Sequence, residues 1–189
     1  MLMRKCLAVF LLMCACCAVY VSAQDEKKDE ETPERKSSPG QEYVRKHRRE
    51  ILARIEKDAM SYSLKERDEI EKLYQLWRIR KGKEKQAVAI TMQRRFPKAN
   101  RTGCLMLNLA LDNAKHRRID LLKQVIRDYD DCRYFSGVPV GALARYHLVK
   151  ILKETGKSEE AEKYREELEA SSPDAVDNIG RPLVEQLND

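Results

Sequence analysis

The chain has 189 residues, a formal net charge of +6, and 36% of its residues are charged. That length suits one folded domain and excludes a large multidomain assembly. The sequence also lacks the Gly-x-Ser-x-Gly, P-loop and dinucleotide-binding glycine patterns, so the enzyme classes that depend on them are not indicated.

The amino terminus is typical of a secretory signal peptide. Arg4 and Lys5 precede an apolar run over residues 6–21, and small residues follow at Ser22 and Ala23. This run is shorter than the roughly 20 apolar residues that a membrane-spanning helix needs. We therefore predict a signal peptide over residues 1–23, with an uncleaved amino-terminal anchor as the alternative.

A lipid anchor is a second alternative for the same segment. Ala15-Cys16 resembles the end of a bacterial lipobox, although Met13 and Cys14 depart from that pattern. A lipoprotein would keep Cys16 as its modified residue. Cleavage after residue 23 would instead remove Cys16 together with the three other leader cysteines.

The next segment is predicted to be a disordered charged linker. Residues 24–40 hold 4 basic and 6 acidic groups and no aliphatic side chain. Such a segment cannot bury enough apolar surface to offset the entropy lost on ordering. The folded domain is therefore expected over residues 41–189.

That domain is predicted to be all-α. From Gln41 onward apolar residues recur three and four positions apart, which is the helical period. Ser63 and Glu66 have the spacing of a capping box at the start of one helix, and Gly82 is predicted to end that helix. Predicted helices cover residues 43–60, 63–82, 83–95, 102–114, 117–129, 139–155, 158–170 and 183–187.

Short connections predict that successive helices form antiparallel hairpins. A unit of 34 residues, 142–175, has Leu148 on its first helix, Gly156 at the turn, Ala161 on the second helix and Pro173 at the end. This pattern resembles the tetratricopeptide repeat. The resemblance implies a short α-solenoid of about three degenerate repeats, with residues 43–60 and 176–187 as capping helices. An ordinary helical bundle is the alternative.

The two cysteines outside the leader are predicted to form a disulfide. Cys104 opens one helix and Cys132 follows its antiparallel partner, so the fold brings them together, and export favours oxidation. Closing this loop of about 29 residues would stabilise the chain by about 3.5 kcal/mol. The alternative is a pair of buried free thiols.

No metal, cofactor or catalytic group is predicted. His47, His116 and His147 are isolated in the sequence, and none has a second ligand at a helical spacing. Surface or groove exposure is the expectation for His147. Enzymatic activity is therefore not expected, and a hydrolase of the cell envelope is the less favoured hypothesis.

The distribution of charge along the sequence indicates which kinds of partner the protein could bind. Residues 41–149 carry 25 basic and 14 acidic groups, whereas residues 150–189 carry 6 and 11. Export and the lack of aromatic residues among the basic runs argue against a nucleic-acid ligand. An acidic protein segment or an anionic envelope surface fits the basic region, and so does a merely solvated basic face.

The repeat resemblance implies a binding function. Tetratricopeptide proteins present the first helices of their hairpins as a groove for a protein or peptide segment, and Tyr146, Lys150 and Lys153 would line part of it here. We therefore expect an exported, non-enzymatic interaction protein of the bacterial periplasm or envelope. A lipid-anchored scaffold in envelope assembly is the alternative.

Overall fold

The computed structural model describes residues 39–177 and 179–188, and in these residues the predicted all-α fold is confirmed. The predicted signal peptide, Cys16 and the linker as far as residue 38 lie outside the described residues. The α-helices are α1 (Pro39–Lys46), α2 (Arg48–Ser61), α3 (Leu64–Ile79), α4 (Gly82–Arg95), α5 (Asn100–Leu111), α6 (Lys115–Tyr129), α7 (Val140–Glu154) and α8 (Ser158–Ser171). A short 3-10 helix, Glu185–Leu187, follows them.

Local sequence signals explain where several helices begin and end. At the start of α3 the backbone N–H of Ser63 donates to Glu66 Oε2 at 2.8 Å, and the Glu66 N–H donates back to Ser63 Oγ at 3.4 Å, which confirms the capping box. Gly156 ends α7 with a φ of +74°, and the next residue's N–H reaches Leu152 O at 2.9 Å, as in a Schellman motif. Gly82 does not end α3 as predicted: α3 ends at Ile79, and Gly82, with a φ of +53°, begins α4.

Three hairpins, α3/α4, α5/α6 and α7/α8, make up most of the domain. The second helix of each hairpin packs on the first helix of the next one, and the first helices α3, α5 and α7 also contact one another in sequence order. One continuous apolar core runs through all three hairpins. The signature residues Leu148 and Ala161 are buried in this core, while Pro173 lies exposed in the turn after α8. These contacts are compatible with a helical bundle or a solenoid.

Helices α1 and α2 run along the turns that follow the three hairpins, and α2 also contacts α3 of the first hairpin. The predicted single helix over residues 43–60 is broken at His47, whose ring lies 4.2 Å from the Tyr43 ring. The contacts along the two helices are, in order, Asp58 with Asn100 at the start of α5, Lys57 with Asp131 before α7, and Lys46 with Asp174 after α8. Hydrogen bonds and charge pairs therefore hold this segment across three successive turns, and its capping role stays a prediction.

Two loops share one backbone hydrogen-bond pattern that the sequence reasoning missed. An antiparallel bridge joins Arg133 to Pro139 in the loop before α7, and an equivalent bridge joins Val176 to Pro182 after α8. The glycines of these loops, Gly137 and Gly180, have φ values of +83° and +87°. Corresponding residues are 43 positions apart, as 139 and 182 show. The two loops therefore have the same backbone pattern at a spacing of 43 residues, and the 34-residue unit stays a prediction from the sequence.

Candidate functional site

The face of α7 predicted to line a groove contacts the C-terminal part of the chain. Lys153 Nζ donates to the carbonyl oxygen of Leu187 at 2.7 Å, and the Tyr146 hydroxyl lies 3.3 Å from Gln186 Oε1. Lys150 Nζ donates to the Tyr146 hydroxyl at 3.4 Å. Tyr146, Lys150 and Lys153 thus share one face. Residues 179–188, the C-terminal segment, bury Tyr146 on that face, while Lys150 and Lys153 stay exposed.

A cavity of about 440 Å³ lies between α5, α7 and the C-terminal segment. Tyr146 and His147 line this cavity, whereas Lys150 and Lys153 do not. Burial, followed by the nearby charges of Lys150 and Arg118, lowers the pKa of His147 to about 4. His147 is therefore a half-buried ring that is neutral at pH 7 and lines this cavity.

The His147 pKa predicts a pH-dependent loss of stability. The ring prefers the neutral form in the fold but titrates near its ordinary value of about 6.5 when unfolded, so the unfolded chain takes up the proton more readily. This contribution is complete above about pH 6.5 and decreases as the pH falls towards 4. We expect His147 alone to account for about 3 kcal/mol of lost unfolding free energy between pH 7 and pH 4, measured by urea denaturation.

His147→Gln, which has no charge to gain, should lack this part of the pH response. His116→Gln, at an exposed position, is the matched control and should respond as the wild type does. If the free energy of unfolding changed with pH in the same way in the wild type and in His147→Gln, the lowered pKa of His147 would be contradicted.

The second recess, which we call the arginine cleft, lies between α2, α3, the start of α5 and the loop before α7. Its volume is about 280 Å³. Four arginines and two carboxylates line it, a surplus of two positive charges. These charged residues are Arg54, Arg67, Arg101, Arg133, Asp58 and Glu71.

Arg54 is the most deeply buried charge of the cleft, with 5% of the residue exposed. One terminal nitrogen pairs with Asp58 Oδ1 at 2.5 Å, and the other donates to Lys98 O at 2.7 Å and approaches Cys132 Sγ at 3.5 Å. Burial opposes the charged form, but the contacts with Cys132 and Asp58 outweigh it and raise the pKa of Arg54. Arg54 therefore remains a cation inside the protein.

Two arginine nitrogens in the cleft have no hydrogen-bond partner. In the part of the chain that the structure describes, the buried side-chain nitrogens without one are Arg54 Nε, Arg67 Nε and Trp77 Nε1. Asp131 Oδ2 lies 3.9 Å from Arg54 Nε, beyond hydrogen-bonding distance. Two arginines of the cleft thus each have a buried donor without an acceptor.

Apolar side chains surround these charges. Phe135 and Ile55, 77% and 51% exposed, line the cleft where it meets solvent. The Arg101 guanidinium carbon lies 4.3 Å from the centre of the Phe135 ring and 4.6 Å from that of Tyr74. The cleft is therefore cationic and apolar at once.

Sequence reasoning did not identify this cleft, although one signal was present. Arg54 lies three residues after Ile51 and four before Asp58, on the apolar face of the predicted first helix. A charged residue on such a face needs a partner, and an acid one turn later supplies it. The other arginines come from separate elements, so no local pattern joins them.

The two cysteines are described as buried free thiols, the alternative stated from the sequence, and not as the predicted disulfide. Burial raises the pKa of Cys104 to about 12 and also raises the pKa of Cys132. Cys104 Sγ lies 3.4 Å from the Arg133 carbonyl oxygen. Both side chains act here as small core residues, because a thiol in such surroundings stays protonated.

In residues 39–177 and 179–188, no group of three or more His, Cys, Asp or Glu side chains could hold a metal ion. None of the helices in that part combines the length and the apolar composition needed to cross a membrane.

Comparison with known proteins yields no relative. No protein-family model matches this chain, and no curated protein or solved structure does either. The tetratricopeptide resemblance therefore depends on the signature residues alone.

Proposed function

We propose that this protein is an exported, non-enzymatic binding module of the bacterial cell envelope, and that it holds an acidic segment of a partner protein in the arginine cleft. The observation that carries the proposal is the pairing of surplus positive charge with exposed apolar side chains in one recess. Exposed aromatic and arginine side chains are characteristic of sites that dominate protein–protein binding. The proposed export rests on residues 1–23 of the sequence.

The arrangement of the hairpins supports the same proposal. Helices α3 and α5 contact each other, and both line the cleft. In the tetratricopeptide-like solenoid that we propose for the three hairpins, these are first helices, the ones that such repeats use for binding. On α7, Tyr146 and Lys153 already bond to the C-terminal segment, so the cleft is the better candidate for an external segment.

Selection from a random peptide display library tests this function. We expect the full chain to enrich peptides that combine acidic and apolar residues, and a Phe135→Ser/Ile55→Ser variant to lose them. Both positions are exposed, so the variant should keep its melting temperature. An Ile79→Ser/Ile90→Ser variant, altered at two exposed positions that do not line the cleft, is the matched control. Failure to enrich any peptide, or equal enrichment by the cleft variant, would overturn the proposal.

A further inference from the structure

We propose that the arginine cleft is a carboxylate site, in which the unpartnered Nε–H groups of Arg54 and Arg67 bind an acidic side chain of the peptide and Phe135 contacts an adjoining apolar side chain. This inference rests on the proposed function and specifies its ligand. The inference concerns one acidic side chain of the bound peptide and the apolar side chain next to it. The proposed function requires only that a peptide segment binds in the cleft.

The unpartnered donors carry the argument. A buried N–H group without an acceptor has lost its water and gained nothing in exchange, so leaving it unpaired is unfavourable. Arg54 is nearly inaccessible and Arg67 Nε is itself buried, yet both side chains line the cleft. A ligand carboxylate would supply the missing acceptors through charge-assisted hydrogen bonds, which are stronger than neutral ones.

The carboxylates of the cleft are already engaged by the protein. Asp58 accepts from Arg54 and from the backbone N–H of Asn100, at 3.0 Å to Oδ2. Glu71 accepts from Arg101 Nε at 2.8 Å and from the Gln75 side chain at 2.6 Å. Neither is bonded to the Nε of Arg54 or Arg67, so the surplus positive charge is available for an external anion.

The apolar walls favour a carboxylate attached to an apolar group over a free inorganic anion. Ile51, Ile70 and Tyr134 line the recess beside the arginines, and Phe135 stands exposed next to it. A volume of about 280 Å³ suits one or two side chains and not a folded domain. Burying an apolar group there removes apolar surface from water and so favours binding, a contribution that inorganic phosphate cannot make.

A matched pair of small probes tests the inference on the full chain. 3-Phenylpropionate carries a carboxylate and a phenyl ring, and 3-phenylpropanamide has the same shape without the charge. We expect the acid to bind with a dissociation constant of order 1 mM, typical of so small a ligand, and the amide at least tenfold more weakly. Titration followed by NMR should shift the side-chain Nε–H signals of Arg54 and Arg67.

Arg67→Gln is the informative variant, with Arg78→Gln, on the same helix and outside the cleft, as the control. Arg67→Gln should weaken binding of the acid at least fivefold without changing the melting temperature, and Arg78→Gln should leave binding unchanged. Equal affinity for acid and amide, no effect of Arg67→Gln, or equally tight binding of inorganic phosphate would overturn the carboxylate assignment. The peptide selection would still stand in each of these cases, so the two proposals can fail separately.

Discussion

Replacing Arg54 by methionine is expected to lower the free energy of unfolding by about 3–5 kcal/mol, the usual cost of removing one partner from a buried ion pair. The change leaves the Asp58 carboxylate, which is 18% exposed, without its cation, and it removes the donor to Lys98 O. Methionine fills a similar volume, so the loss would arise from the uncompensated charge and not from a cavity. Urea denaturation at pH 7 measures the difference directly.

Lys57→Met, on the same helix, is the matched control. Its ion pair with Asp131 joins two side chains that are more than half exposed, and exposed pairs contribute about 0–1 kcal/mol. Similar losses for the two variants would show that Arg54 is not buried as the structure describes.

Gly103→Ala is expected to cost about 1–3 kcal/mol, because α5 packs directly against Cys132. A Cβ atom at residue 103 would lie 2.5 Å from Cys132 Sγ, 2.7 Å from Cys132 Cβ and 3.1 Å from Tyr129 Cβ. All of these groups are buried, so the core must shift to make room. The unfolding midpoint in urea should fall while the denaturant slope stays constant.

Gly40→Ala is the control for this change, since nothing lies within 4 Å of a Cβ built there and the residue is in α1. That substitution should leave stability unchanged or raise it slightly, as alanine favours helices more than glycine does. Adding Cys132→Gly to Gly103→Ala should recover part of the loss by removing the clashing atoms. A Gly103→Ala protein as stable as the wild type would contradict the close approach of α5 and Cys132.

The contacts of helices α1 and α2 affect how cooperatively the domain is expected to unfold. In an open solenoid each unit contacts only its neighbours, and stability is a sum over units and interfaces. Here the Lys46–Asp174 pair, 2.5 Å between Nζ and Oδ2, and the His47–Asp174 contact at 3.0 Å join the first helix region to the turn after α8. The contacts of α1 and α2 thus span all three hairpins, which favours cooperative unfolding of the domain as one unit.

The all-α class, the approximate helix bounds and the hairpin turn at Gly156 could be predicted from the amino-acid sequence. These features depend on local physics: the apolar period, the reciprocal bonds of Ser63 and Glu66, and the tolerance of glycine for positive φ. Each involves residues within a few positions of one another, so a pattern in the printed sequence is sufficient to predict it.

Tertiary packing determines which side chains meet across the fold. The C-terminal segment contacts Tyr146 and Lys153, and α2 brings Arg54 beside Lys98 and Cys132. These contacts join residues 34 to 78 positions apart, and such pairs leave no periodic trace in the sequence. The cysteines are free thiols. The packing of whole helices determines which residues pair. A buried charge or hydroxyl forms its hydrogen bond with the group that the fold places within hydrogen-bonding distance.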